Sequence, residues 1–470
     1  MNQKFCVFCF LILAAYTGSS FGRFSKPNII VIMVDDSSWE CYGSYGAMDY
    51  NTPNLDRLAA KGLRFDHCYS TPICTTSRVK LMTGQYNFRN YTHFGYLNPR
   101  DKTFGHLLQD NGYRTAIAGK WQLNGLYHRA PDCYDKTRPM KAGFHESLLW
   151  QVTTGKALKD GGGERYWNAP LEHNGVSISR KTNWGKYGPD MFTDFVCDFI
   201  DRNQDNSFFV YYPMVLVHDV FVPTPDTLGD TPLETANVMP KEPHLRKKHF
   251  ADMVNYMDKL IGKIVVKVED LGLAEDTIIL FTADNGTDKK ITSNWNNLEL
   301  KGGKGGTTDR GTRVPLIAYW KSHTPEGGVV KDLIEFTDFY PTIAGAAGIE
   351  MGPSDPIDGI SFLPQLNGKQ GSPRPWQLNH YQPYWSPLPG QYIRDQDYKL
   401  YRDGRFFKIS NDLFEKKDLA ATSDTSALKA KEKLGSLLEQ IPDVVPGKGD
   451  VSTKQRPVYP GIKNLFSESD

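Results

Sequence analysis

The chain has 470 residues, 39% of them hydrophobic and 23% charged, which is enough material for one large core or two unequal ones. Its formal net charge is +1, so no global field directs it to nucleic acid or to an anionic membrane.

In chain order, the first feature is a leader over residues 1–22. Lys4 supplies a positive start, Phe5 to Tyr16 an apolar stretch too short to span a bilayer, and Gly18, Ser19, Ser20 and Gly22 a small-residue cleavage region. This reads as a secretory signal and predicts a secreted or periplasmic protein, with no membrane contact once the signal is cut. Cys6 and Cys9 leave with it. Cys41, Cys68, Cys74, Cys133 and Cys197 remain, an odd number without zinc-like spacing, and the pairing of the four other than Cys74 stays open.

Asn28 to Val34 (NIIVIMV) is a continuous β-branched run, which predicts a strand buried on both faces that ends in Asp35 and Asp36. Thr52-Pro53 predicts a helix start with Thr52 as the cap, and Gly62 its stop. Tyr113 to Ala118 runs extended into Gly119-Lys120, and Ser207 to Leu216 predicts a strand ending near His218. Apolar residues at helical spacing mark a long helix from about Lys247 to Leu271. Thr277 to Thr282 predicts a strand that delivers Asp284 and Asn285. The alternation implies an α/β fold: a large, mixed, mostly parallel sheet flanked by helices, with polar residues gathered where strands end. Beyond about residue 365 the composition shifts to Pro and aromatics. A hairpin around Asp403-Gly404 and a helix near Ser426 to Gln440 predict a smaller C-terminal subdomain of antiparallel strands. The expected division is signal 1–22, catalytic domain 23–365 and C-terminal subdomain 366–470.

Two oxygen-rich pairs at two strand ends, Asp35-Asp36 and Asp284-Asn285, offer three carboxylates and an amide. That set suits a hard cation such as calcium or magnesium. The segment Cys74-Thr75-Thr76-Ser77-Arg78, ending in Leu81-Met82-Thr83-Gly84, resembles the signature of the formylglycine-dependent sulfatases, in the alkaline phosphatase-like superfamily. The likeness continues in order through Gly119-Lys120-Trp121, His218, Asp284-Asn285-Gly286, Lys304 placed nine residues before Arg313-Val314-Pro315, and Asp338 to Thr342.

This resemblance implies a sulfuric ester hydrolase. A maturation enzyme would oxidise Cys74 to formylglycine, whose hydrate attacks sulfur. One calcium ion would be held by Asp35, Asp36, Asp284, Asn285 and residue 74. Arg78, Lys120 and Lys304 would cradle the sulfate oxygens, and His218 with Lys304 would protonate the leaving alcohol. Three positions depart from the family pattern. Thr76 stands where Pro or Ala is usual, Asp309-Arg310 replaces Glu-Gly, and Gln122 stands where a catalytic histidine follows Gly-Lys-Trp. Lys120 and Gln122 are two apart, so an extended segment would turn both toward the site. Glutamine exchanges hydrogen bonds but takes no proton near neutral pH. Two other readings therefore stand beside the enzyme: a catalytically impaired protein that binds sulfated glycans, and a related phosphohydrolase. The aromatic stretches Gly161 to Gly175 and Tyr381 to Tyr392 favour a sulfated carbohydrate as substrate.

Overall fold

The computed structural model describes residues 26–154, 164–352, 355–381 and 390–442. The expected signal, part of each aromatic stretch and most of the tail lie outside these residues. Among the described residues, no helix is long and apolar enough to cross a membrane.

Ten strands form one sheet. In chain order they are β1 (Asn28–Val34), β2 (Leu63–Tyr69), β3 (Arg114–Lys120), β4 (Glu146–Trp150), β5 (Leu171–His173), β6 (Val176–Ile178), β7 (Phe208–Pro213) and β8 (Thr277–Ala283). After a separate hairpin of β9 (Thr292–Trp295) and β10 (Leu298–Lys301) come β11 (Arg313–Trp320) and β12 (Gly328–Glu335). Their spatial order is β12-β2-β11-β8-β1-β7-β3-β4-β5-β6. The central ladder β8-β1-β7-β3-β4 is parallel, while β11 runs antiparallel to both neighbours. All seven residues of β1 are buried, as the unbroken NIIVIMV run requires of a strand covered on both faces. The long helix spans Pro243–Asp270, with Phe250, Met253, Val254, Met257, Leu260, Ile261 and Ile264 on its buried side.

A second sheet follows: β13 (Gln377–Asn379), β14 (Tyr392–Arg394), β15 (Tyr398–Tyr401) and β16 (Phe406–Lys408), all antiparallel. The helix Thr425–Glu439 covers it through Ala427, Leu434 and Leu438. The architecture is the large mixed sheet with a small antiparallel C-terminal sheet that the sequence implied.

One local expectation is corrected and a second is met. Thr52 occupies the cap position of the helix Pro53–Lys61 but makes no capping bond. Its hydroxyl accepts from Gly43 N (3.0 Å) and donates to Asp56, so it ties a preceding turn to the helix instead. Gly62 does end that helix, though not through a left-handed backbone. A Cβ there would lie 2.3 Å from the carbonyl oxygen of Ala318, so β11 passes too close for any side chain.

A buried ionic network joins the two sheets. Lys80 Nζ lies 2.7 Å from Glu335 Oε2 at the end of β12, and also donates to Leu378 O (3.1 Å) in β13. Glu335 Oε1 pairs with Arg374 at 2.8 Å, and Arg374 also pairs with Asp338. All four side chains are at most 1% exposed, so each charge depends on the others for compensation. Glu335→Gln should lower unfolding stability by about 3 kcal/mol, because it strips one anion from two buried cations. Urea denaturation followed by tryptophan fluorescence checks this, and an unchanged midpoint would contradict it.

Candidate active site

β1 and β8 are parallel neighbours in a register that pairs Val34 with Ala283. The residues that follow each strand must therefore emerge side by side. Asp36 N donates to Asp284 Oδ1 (3.1 Å), and Asn285 Nδ2 donates to Asp36 Oδ1 (2.8 Å). All four side chains are buried, and Asp35 Oδ1 and Asn285 Oδ1 have no hydrogen-bond partner. Burial, reinforced by the charge of Asp35, pushes the Asp284 carboxyl well above the usual range. Burial also acts against Asp35, yet the charges of Lys120, Lys304 and Arg165 hold its carboxyl below that range. Crowded carboxylates with orphaned oxygens are what a hard divalent cation satisfies, so the residues present fit one.

Cations arrive from separate segments. Lys120 is the last residue of β3, and its Nζ lies 2.7 Å from Asp35 Oδ2. Lys304 reaches Asp36 Oδ2 from the glycine-rich loop after β10, and also donates to His218 Nε2 at 2.9 Å. That loop is packed against its neighbours: a Cβ on Gly303 would fall 2.5 Å from the carbonyl carbon of Arg310. His218 Nδ1 donates to the carbonyl of Asp219, leaving Nε2 as the acceptor for Lys304. Burial, with Arg165 adding to it, lowers the His218 pKa, in keeping with a neutral ring.

Arg165 was not singled out in the sequence. Its Nη1 stands 3.4 Å from Asp35 Oδ2, and its guanidinium lies 4.3 Å from the centre of the Trp150 ring. The only hint was one arginine within a polar, aromatic segment. Within that segment Tyr166 and Trp167 are buried packing residues. The Tyr166 hydroxyl donates to Val215 O and His218 O, and Trp167 Nε1 donates to Pro223 O. They brace the His218 loop and offer no ring face to a sugar.

Cys74 opens the helix Cys74–Thr83 and is 3% exposed. Burial raises its thiol pKa despite the nearby Lys120, so the unmodified side chain stays protonated. Its Sγ lies 3.9 Å from Gln122 Oε1. Gln122 reaches this position by a route the sequence did not suggest: β3 ends at Lys120, and Gln122 has a left-handed backbone with φ 45°. Arg78 lies below the site, and its guanidinium donates to Lys120 O and Trp121 O, both at 2.6 Å. Those bonds fasten the Cys74 helix to the end of β3. Thr76 is buried as well, its hydroxyl donating to Ile73 O at 2.9 Å, and Asp309 pairs with Arg394 of β14 at 3.0 Å. Among the described residues no disulfide forms, and Cys41, Cys68, Cys74, Cys133 and Cys197 are all buried free thiols.

Arg78→Lys should reduce stability by about 1–3 kcal/mol, because one ammonium cannot serve both carbonyls in the guanidinium's geometry. Differential scanning calorimetry checks this; a melting temperature equal to wild type would remove Arg78 as the fastener.

The sulfatase family model matches residues 27–349. Human arylsulfatase A is 31% identical over 461 residues, covering 93% of this chain and 83% of its own. N-acetylgalactosamine-6-sulfatase of Canis lupus familiaris is 29% identical, covering 78% of this chain and 70% of its own. Among solved structures, Ps i-CgsB in complex with k-i-k-neocarrahexaose superposes with a TM-score of 0.71 at 25% identity, covering 88% of this chain and 92% of that one. With that family model matched across the large sheet and a relative 31% identical aligned along 93% of this chain, the chain belongs to the sulfatase family and is a sulfuric ester hydrolase.

Proposed function

We propose that the chain removes sulfate from a sulfated carbohydrate, using Cys74 oxidised to formylglycine and one calcium ion. The observation that carries this reading is the placement of Cys74. A buried, protonated thiol is a poor nucleophile, yet it sits at a helix N-terminus, near Lys120 and the strand-end carboxylates. Oxidised to formylglycine by a separate maturation enzyme, residue 74 supplies an aldehyde whose hydrate carries the attacking hydroxyl.

Asp35, Asp36, Asp284 and Asn285 would hold the cation, together with the oxygen of the modified residue 74; when bound it supplies Lewis acidity. The donors are oxygens, and the His218 nitrogen nearest Asp36 is already taken by Lys304, which favours calcium over zinc. Lys120 and Lys304 spread the negative charge that grows on the sulfate oxygens. Arg78 adds positive charge and positions Lys120, since each of its terminal nitrogens donates one N–H to a backbone carbonyl at the end of β3. Lys304, whose ammonium donates to His218 Nε2, supplies the proton that the departing alcohol oxygen takes, with His218 Nε2 as the acceptor that can relay it. Gln122 Oε1 holds a hydroxyl hydrogen on residue 74 without removing it.

A carbohydrate substrate is supported by the relatives: one is named for an N-acetylgalactosamine sulfate, and one solved neighbour holds a neocarrahexaose. The signal-like residues 1–22 support a secreted or periplasmic location.

Mass analysis of the residue-74 peptide from a competent host should show formylglycine, and unmodified thiol with full activity would overturn the nucleophile. Asp284→Ala should purify without calcium by elemental analysis and lose activity; retention of the ion would reject the metal set. With an activated aryl sulfate, the wild type should release one fast equivalent of phenol and then turn over slowly. Missing a base typically slows a step by about 10²–10⁴. Gln122→His should accelerate the slow phase, and brisk wild-type turnover without a burst would assign the proton transfer to another group.

A further inference from the structure

Gln122 does not stand alone. Its backbone N–H donates to Gln151 O at 3.0 Å, just past the point where β3 and β4 stop pairing as strands. Both glutamines have left-handed backbones, φ 45° for Gln122 and 60° for Gln151. Neither residue favours that region, and two strained residues side by side at the edge of a site call for a reason. The two side chains share a partner. The Gln122 amide nitrogen donates to the Tyr127 hydroxyl at 2.8 Å, and the Gln151 amide nitrogen donates to the same oxygen at 3.3 Å.

A phenolic oxygen has two acceptor sites, and here both are filled by amide N–H groups. With its nitrogen held, Gln122 turns its carbonyl oxygen toward residue 74, 3.9 Å from Sγ. Tyr127 is itself fixed. It lies in the short turn Leu126–His128, and its ring meets Phe94 edge to face at 5.2 Å. That turn is tied back by Gly125 N donating to Gly95 O at 2.7 Å. The ring remains 38% exposed, so the hydroxyl, not core packing, is its distinctive contribution.

We propose that Tyr127 is a positioning residue for Gln122. Its hydroxyl collects the two glutamine amides and fixes the Gln122 side chain with its acceptor oxygen facing residue 74. This inference rests on the reading that residue 74 carries the reacting hydroxyl. In that reading a freely rotating amide would offer the site a donor as often as an acceptor. The clamp makes Gln122 an acceptor only, which is the one part of a histidine base's role that a glutamine can keep.

The test is Tyr127→Phe in the full-length enzyme, which retains the ring and its contact with Phe94. Two readouts are needed. The first uses unmodified protein with 15N-labelled glutamine, the Gln122 side-chain signal being assigned by its loss in Gln122→Leu. In Tyr127→Phe that signal should shift and exchange faster with water. An unmoved signal would overturn the clamp. The second is the two-phase assay with an activated aryl sulfate. Burst amplitude and kcat/KM should stay within about twofold, while the slow phase, and KM with it, falls roughly fivefold to tenfold, the weight of one hydrogen bond. A slow phase equal to wild type would overturn the positioning role, and a parallel loss of burst, kcat/KM and melting temperature would make Tyr127 merely structural, also overturning it. Failure of the underlying reading looks different: wild-type protein would lack formylglycine, and the amide spectra would still decide whether Tyr127 holds Gln122.

Discussion

Three carboxylates and an amide are buried at the ends of two adjacent parallel strands, and an arrangement of that kind does not persist without positive charge. Removing carboxylates from water costs several kcal/mol each unless charge and hydrogen bonds compensate. Asp35, Asp36 and Asp284 meet this demand with Lys120 from β3, Lys304 from a glycine-rich loop and Arg165 from a third segment. Each contributor is distant in sequence, so the demand at one strand edge dictates where several loops must run. The packed glycines around Lys304, the bracing of the His218 loop by Tyr166 and the Arg78 bonds to the end of β3 all serve to hold those cations in place.

The same logic recurs away from the site. Lys80 and Arg78 lie on one helix, the one that Cys74 opens. Arg78 bonds to the large sheet, and Lys80 bonds through Glu335 and Leu378 O toward the small one. The helix is thus pinned at both sheets by buried cations. Its low amphipathicity follows from this, since all ten of its residues are buried and polar groups are as enclosed as apolar ones.

Much of this was legible in the chain. Strands buried on both faces announce themselves by unbroken β-branched runs, and Asp35, Asp36, Asp284 and Asn285 were legible because they interrupt such runs. Lys120 was legible for the same reason. Arg165 was not, because a single arginine in an irregular, polar segment carries no periodic signal. Tyr127 was hidden similarly: it acts through a turn, and turns are set by backbone bonds such as Gly125 to Gly95 that have no side-chain pattern. The aromatics at Tyr166 and Trp167 suggested sugar contacts by composition, but burial and their hydrogen bonds to backbone carbonyls give them a bracing role. Thr52 had the right residue type for a cap, and the neighbouring Gly43 and Asp56 claimed its hydroxyl first.

The depth of Cys74 also imposes a schedule. In the finished fold its side chain is 3% exposed, Thr76 two residues on is 1% exposed, and Arg78 is bonded beneath both. A sulfur so enclosed offers almost no surface to a second protein's oxidising centre. The proposed conversion therefore belongs to the newly made chain, while residues 73–84 are still extended and before the two sheets close on them. Folding and modification compete for the same segment. On the proposed reading a chain that folds first is sealed as a thiol, and the fraction of active molecules in a preparation would record the outcome of that race.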